Sequence, residues 1–177
     1  LFPNTVTTNI YGNHIYKLSG TTSDMIIAMY ATSGTGTHNI YNNFIQQLSA
    51  PNSSLTLAVN GIYVAASGNT YNVYNNTIAI GQEGVISGGA DFGVSGFYHG
   101  AGLLNLRNNI IYVNATSSGV GVSACVRKAT PGTAGTPPVT TSISATTGNN
   151  FYYINIGAYN YVYVEGGSTA TIKNGYA

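Results

Sequence analysis

"NIYNNFIQQL", residues 39–48, is one of four closely related stretches. "NIYGNHIYKL" stands at 9–18, "NVYNNTIAIG" at 72–81 and "NLRNNIIYVN" at 105–114, with a looser copy, "TTGNNFYYIN", at 146–155. The second Asn of the pair, or its equivalent, falls at Asn13, Asn43, Asn76, Asn109 and Asn150. The intervals are 30, 33, 33 and 41 residues. A period of that length signals a repeat architecture and outranks any single-residue reading.

Within each copy the aliphatic positions recur on both sides of the Asn pair: Ile10 and Ile15, Ile40 and Ile45, Val73 and Ile78, Leu106 and Ile111. A period of two places both columns inward. The Asn pair between them must turn the chain, because Asn tolerates left-handed backbone and bonds to nearby backbone groups. A third apolar run follows in the period, at 25–31, 55–66, 119–126 and 159–165. Three short strands per ~30 residues describe one coil of a β-helix, with coils ~4.8 Å apart. The inward Asn amides of successive coils then form a hydrogen-bonded ladder. A meander of hairpins with plain Asn turns is the alternative, but hairpins need no 33-residue period.

The motif N-aliphatic-x-N-N-x-aliphatic at 9–18, 39–48, 72–81 and 105–114 resembles the right-handed parallel β-helix repeat proteins of bacterial secretions and cell surfaces. The resemblance implies an all-β, right-handed parallel β-helix of about five coils over a single domain, 1–177. It also implies an extracellular or cell-surface location. The longest interval is assigned to a loop insertion at 128–141, where Pro131, Pro137 and Pro138 cannot continue a ladder. The fold itself leaves function open, since lyases, hydrolases, adhesins and structural shafts share it.

Composition narrows the function. Charged residues make up 5% of the chain, with 5 Lys plus Arg against 4 Asp plus Glu. A net charge of +1 exerts no pull toward nucleic acid or anionic membrane. No apolar run approaches the ~20 residues of a membrane span. The opening "LFPNTVTTNI" does not read as a signal peptide. No amphipathic capping helix is legible at the start and no cap in "GGSTATIKNGYA". End-to-end stacking into a filament is therefore an expectation, with a second copy or a surface polysaccharide as partner. Cys125 stands alone in a strand-like run and reads as a buried, inert thiol.

The candidate chemistry is sparse. The carboxylates are Asp24, Glu83, Asp91 and Glu165. Glycoside hydrolysis needs two of them within ~5–10 Å. Glu83, Asp91 and His99 share the Gly-rich "GQEGVISGGADFGVSGFYHG", and Arg107 follows, so a polar cluster is sought there. The His residues His14, His38 and His99 lack zinc spacing, and no Asp-rich calcium run occurs. No catalytic residue, metal site or cofactor is assigned. His14, in the slot held by Phe44, Thr77 and Ile110, reads as an outward strand residue. Tyr11, Tyr41 and Tyr74 occupy one outward column that Arg107 completes, a candidate face for sugar or protein. The expected function is a non-catalytic structural or adhesive module, with a polysaccharide-binding or polysaccharide-degrading β-helix as the alternative. An ice-binding solenoid is disfavoured because it needs a flat, regular Thr array and the Thr residues keep no single column by sequence offset.

Overall fold

A computed structural model describes residues 6–32, 34–129, 143–144, 146–166 and 171–172. The first coil contains β1 (Val6–Tyr11), β2 (His14–Ile15), β3 (Leu18–Ser19) and β4 (Ile26–Ala31). The second contains β5 (Gly36–Tyr41), β6 (Phe44–Gln46), β7 (Leu48–Ser49) and β8 (Val59–Val64). The third contains β9 (Thr70–Tyr74), β10 (Thr77–Ile80), β11 (Ile86–Gly88) and β12 (Val94–His99). The fourth contains β13 (Leu103–Arg107), β14 (Ile110–Val113), β15 (Ala115–Ser117) and β16 (Ser123–Lys128). Then come β17 (Phe151–Ile154), β18 (Asn160–Glu165) and β19 (Thr171–Ile172).

Strands with the same place in each coil pair in parallel. A pre-turn sheet runs β1-β5-β9-β13 and a post-turn sheet β2-β6-β10-β14-β17. A third sheet runs β4-β8-β12-β16-β18-β19. The chain is thus an all-β parallel solenoid, with no helix among the described residues. Four coils are complete. Beyond them, among the described residues, the pre-turn sheet continues as bridges from Leu104 to Ile143 and from Arg107 to Gly148. The expected five coils therefore shorten to about four.

The repeat motif works by division of labour between its two turn residues. The first adopts left-handed backbone in every copy: Gly12 at φ 67°, Asn42 at 54°, Asn75 at 55°, Asn108 at 54° and Asn149 at 56°. Gly and Asn are the residues that enter this region at least cost, which is why the position alternates between them. The second residue points inward and builds the ladder. Nδ2 of Asn13, Asn43, Asn76 and Asn109 donates to Oδ1 of the next Asn at 2.9, 2.9, 3.0 and 2.9 Å. The backbone N–H of each donates to that same Oδ1 at 3.0–3.1 Å. The amide also donates back to the inward aliphatic residue one coil earlier, as Asn76 does to the Ile40 carbonyl at 2.9 Å. Asn43, Asn76 and Asn109 are buried, so these bonds form out of water, where leaving them unmade is costly.

The inward aliphatic columns hold as expected. Ile40, Ile45, Val73, Ile78, Leu106 and Ile111 are all buried, while Ile10 and Ile15 of the first coil are half-buried. Burial of such a side chain contributes ~1.5–3 kcal/mol. The Gly-rich stretch of the third coil, where no third apolar run is legible in the sequence, is regular and carries β11 and β12. Gly96 in β12 explains the composition. A Cβ there would collide with Cγ2 of Ile111, so the third sheet uses a residue without a side chain opposite the Ile column.

Two further points correct the sequence reading. Thr171–Ile172, inside the terminal segment in which no cap was legible, pairs antiparallel with Val164 and Glu165 and covers that end of the third sheet. Lys128 closes β16, while residues 130–141 of the assigned insertion lie outside the described residues. Asn76→Ala removes an acceptor for two buried N–H donors and a donor to Ile40. It is expected to cost about 3 kcal/mol or more in urea unfolding. Asn13→Ala, at the exposed start of the ladder, is expected to cost about 1 kcal/mol or less.

Candidate functional site

The pre-turn sheet turns alternate residues outward. Asn9–Asn39 and Tyr11–Tyr41 pair in register, as do Asn39–Asn72 and Tyr41–Tyr74 and then Asn72–Asn105 and Tyr74–Arg107. The sequence-derived aromatic column is therefore real. The rings of Tyr11 and Tyr41 lie 5.0 Å apart at 6°, and those of Tyr41 and Tyr74 4.9 Å apart at 2°. Tyr11 is 59% exposed and Arg107 is also exposed. Rings stacked this closely cover one another's faces, so the column offers edges and phenolic hydroxyls to a ligand. Desolvation within the stack, and then the neighbouring Tyr74 and Tyr11, hold the Tyr41 hydroxyl above its ordinary value.

A second ladder lies beside it and was missed by the sequence reading. Nδ2 of Asn39, Asn72 and Asn105 donates to Oδ1 of the Asn one coil earlier at 2.8, 2.8 and 2.7 Å. Thr146 Oγ1 extends the line by donating to Asn105 Oδ1 at 3.1 Å. The signal was present, since the first letter of every full motif copy is Asn. Thr also forms a column after all: Thr7, Thr37 and Thr70 pair in register. Its three members stand two residues before that Asn and so outside the motif window.

Another Tyr file, on the third sheet, also escaped notice. Tyr30, Tyr63, Tyr98 and Arg127 pair in register. Ring centroids are 5.2 and 4.2 Å apart. This file closes toward its end, because Tyr98 and Arg127 are buried. The Arg127 guanidinium donates to the Thr56 carbonyl at 2.7 Å and to that of Val122, and burial pulls its pKa down to about 10. Burial, then Tyr98, pushes Tyr63 up to about 12. No member of the pre-turn file is buried, whereas the third-sheet file runs from exposed Tyr30 to buried Tyr98.

The polar cluster is dispersed around the coil. Glu83 is exposed in the turn after β10 and accepts from the Gln47 amide. It lines an open groove of ≈ 280 Å³ with Gln47, Leu48, Gln82 and Ile86, at the break between β7 and β11. Asp91 precedes β12 and His99 ends it. The five strand steps from Val94 to His99 alone span about 16 Å. His99 is buried and its Nε2 lies 2.9 Å from the Gly102 carbonyl oxygen. Arg107 points outward on the pre-turn sheet. No group of three or more His, Cys, Asp or Glu stands together among the described residues. His14 is an exposed outward residue, stacked on Phe44 at 5.0 Å. Cys125 is buried, and burial pushes its thiol up to about 12 despite its bond to the Tyr153 carbonyl.

No family model matches the chain, and neither does any curated protein or solved structure. Among the described residues, no helix is long and apolar enough to cross a membrane.

Two outcomes follow from the buried titratable groups. Cys125 is expected to resist a thiol reagent at pH 8 in the native protein and to react fully in denaturant, since only the thiolate reacts. His99 is held neutral by burial first and then by Lys128, below its ordinary 6.5. The unfolded chain takes up that proton first, so stability falls as pH drops through about 6.5 and the loss is complete only below the lowered folded value. His99→Gln is expected to flatten this slope, as measured by urea unfolding at each pH.

Proposed function

We infer that this chain is a non-catalytic, extracellular β-solenoid module of the bacterial surface or secreted type, acting as a rigid structural or adhesive element. The observation that carries this reading is the exposed pre-turn face. Its Tyr rings are locked parallel by stacking and flanked by a hydrogen-bonded Asn ladder. Side chains ordered before binding lose little entropy on binding, which favours adhesion through many weak, repeated contacts. Near-zero net charge suits a neutral surface polymer or a second solenoid better than nucleic acid.

Filament formation is the end-to-end version of the same role. The amide that donates forward from one coil fits the Asn of any coil that follows, in this chain or in another copy. Electron microscopy showing fibres of uniform width supports it, and dispersed particles at high concentration remove it. The competing reading, a polysaccharide lyase or hydrolase, draws on the groove beside Glu83.

The test is sedimentation of the protein with insoluble cell-surface polysaccharide. Wild type is expected to co-sediment, and a Tyr41→Ala/Tyr74→Ala variant to stay in the supernatant while keeping its unfolding free energy within about 2 kcal/mol. Equal sedimentation of both proteins would remove the Tyr face from the function. Release of reducing or unsaturated ends from the polymer, lost in Glu83→Gln, would establish the enzyme instead.

A further inference from the structure

The pre-turn face repeats one triplet on three successive coils. Outward positions read Thr7–Asn9–Tyr11, Thr37–Asn39–Tyr41 and Thr70–Asn72–Tyr74, each member in register with its equivalent in the next coil. The fourth coil keeps the amide and closes the face with Leu103, Asn105 and Arg107. Coils repeat at ~4.8 Å, and alternate residues along a strand stand ~6.6 Å apart. The face is thus a two-dimensional lattice of hydroxyl, amide and phenol.

We propose that this lattice binds one extended, β-linked polysaccharide chain laid along the solenoid axis, with about one sugar residue per coil. The proposal rests on the adhesive reading of this face and names its ligand. Three identical rungs recognise best a ligand that itself repeats at the rung spacing. An extended β-linked pyranose chain advances by about one ring length per residue, close to the coil repeat, and its successive rings turn alternate edges to the face, both carrying oxygens that the donor-and-acceptor groups of a rung can meet. An extended peptide advances by ~3.3 Å per residue and drifts out of step.

The chemistry of each rung matches a sugar hydroxyl. Asn39 and Asn72 each give one amide proton to the preceding rung and keep the other, and the Oδ1 of Asn9 and Asn39, which accepts it, retains a lone pair. Thr and Tyr hydroxyls both donate and accept. No charged side chain stands at the outward positions of the first three rungs, so a neutral polymer pays no penalty for unpaired charge there. Because the rings cover one another, the chain meets their hydroxyl edges and lies edge-on. An ice surface is the other periodic ligand, but Tyr side chains stand proud of Thr and Asn, and a planar lattice cannot meet all three columns.

The test is calorimetric titration of the full chain with cello-oligosaccharides of two to six residues, and with malto-oligosaccharides of the same lengths. Malto-oligosaccharides are built from the same sugar, but their α-linkage curls the chain. The β-linked series is expected to bind, with affinity climbing steeply to about four residues and then levelling off as the rungs run out. Tyr41→Ala is expected to weaken cellohexaose about tenfold, ~1.4 kcal/mol. Tyr112→Ala is expected to change nothing, since it removes a ring stacked on Tyr153 at 4.4 Å on the post-turn sheet.

Equal binding of the curled series, or no dependence on length, overturns the registered chain while leaving the adhesive reading intact. Failure of every oligosaccharide, with Tyr-dependent sedimentation on surface polysaccharide retained, does the same. Loss of that sedimentation as well ends both. Thermal hysteresis that vanishes in Thr37→Val would assign the lattice to ice and overturn the proposal.

Discussion

The inward Asn ladder is the constraint on which the rest of the solenoid depends. One amide per coil satisfies a backbone N–H, a neighbouring side chain and a carbonyl one coil earlier. A parallel coil has to turn sharply at the motif, and the turn strands backbone groups that no β-ladder can reach. Asn is the smallest side chain that can accept from two donors and donate twice at once. The left-handed residue before it aims the amide inward. Each coil is thereby tied to the next by chemistry that ordinary strand pairing does not supply, and register follows: Ile lands on Ile, Tyr on Tyr and Asn on Asn.

Fixing register in one corner has consequences on the outside. Identical outward residues are forced into files ~4.8 Å apart, so neutral residues that tolerate their own kind are favoured over charges. This accounts for a chain with 5% charged residues that still carries 15 Tyr. The two Asn ladders run in opposite directions. Inward amides donate to the following coil and outward amides to the preceding one, so their dipoles oppose rather than add. The Tyr files differ in fate: the pre-turn file stays open, whereas the third-sheet file ends in buried Tyr98 and Arg127.

Much of this was legible before any coordinates. Repetition of the Asn pair implied the coil, its turn, the inward aliphatic columns and the Tyr11–Tyr41–Tyr74 file. What escaped had a physical cause in each case. β12 was hidden because Gly96 is a poor strand former locally and is required by Ile111 across the core and by the Cys125 carbonyl of the neighbouring coil. The Tyr30–Tyr63–Tyr98 file lay in third strands whose distance from the Asn turn varies from coil to coil. The Thr column and the outer Asn ladder needed cross-strand register, which a single copy of the motif does not display. The groove beside Glu83 arises where β7 and β11 fail to pair, an event of three dimensions.

By itself, the sequence determined that the chain coils, where each coil turns and which side chains face in, because those follow from local backbone preference and a repeat of fixed length. Only the tertiary structure decided which outward files stay accessible, that Glu83, His99 and Arg107 fall on different elements, and that about four coils are complete. Those depend on how corners of unequal length pack against one another, and no residue carries that information alone.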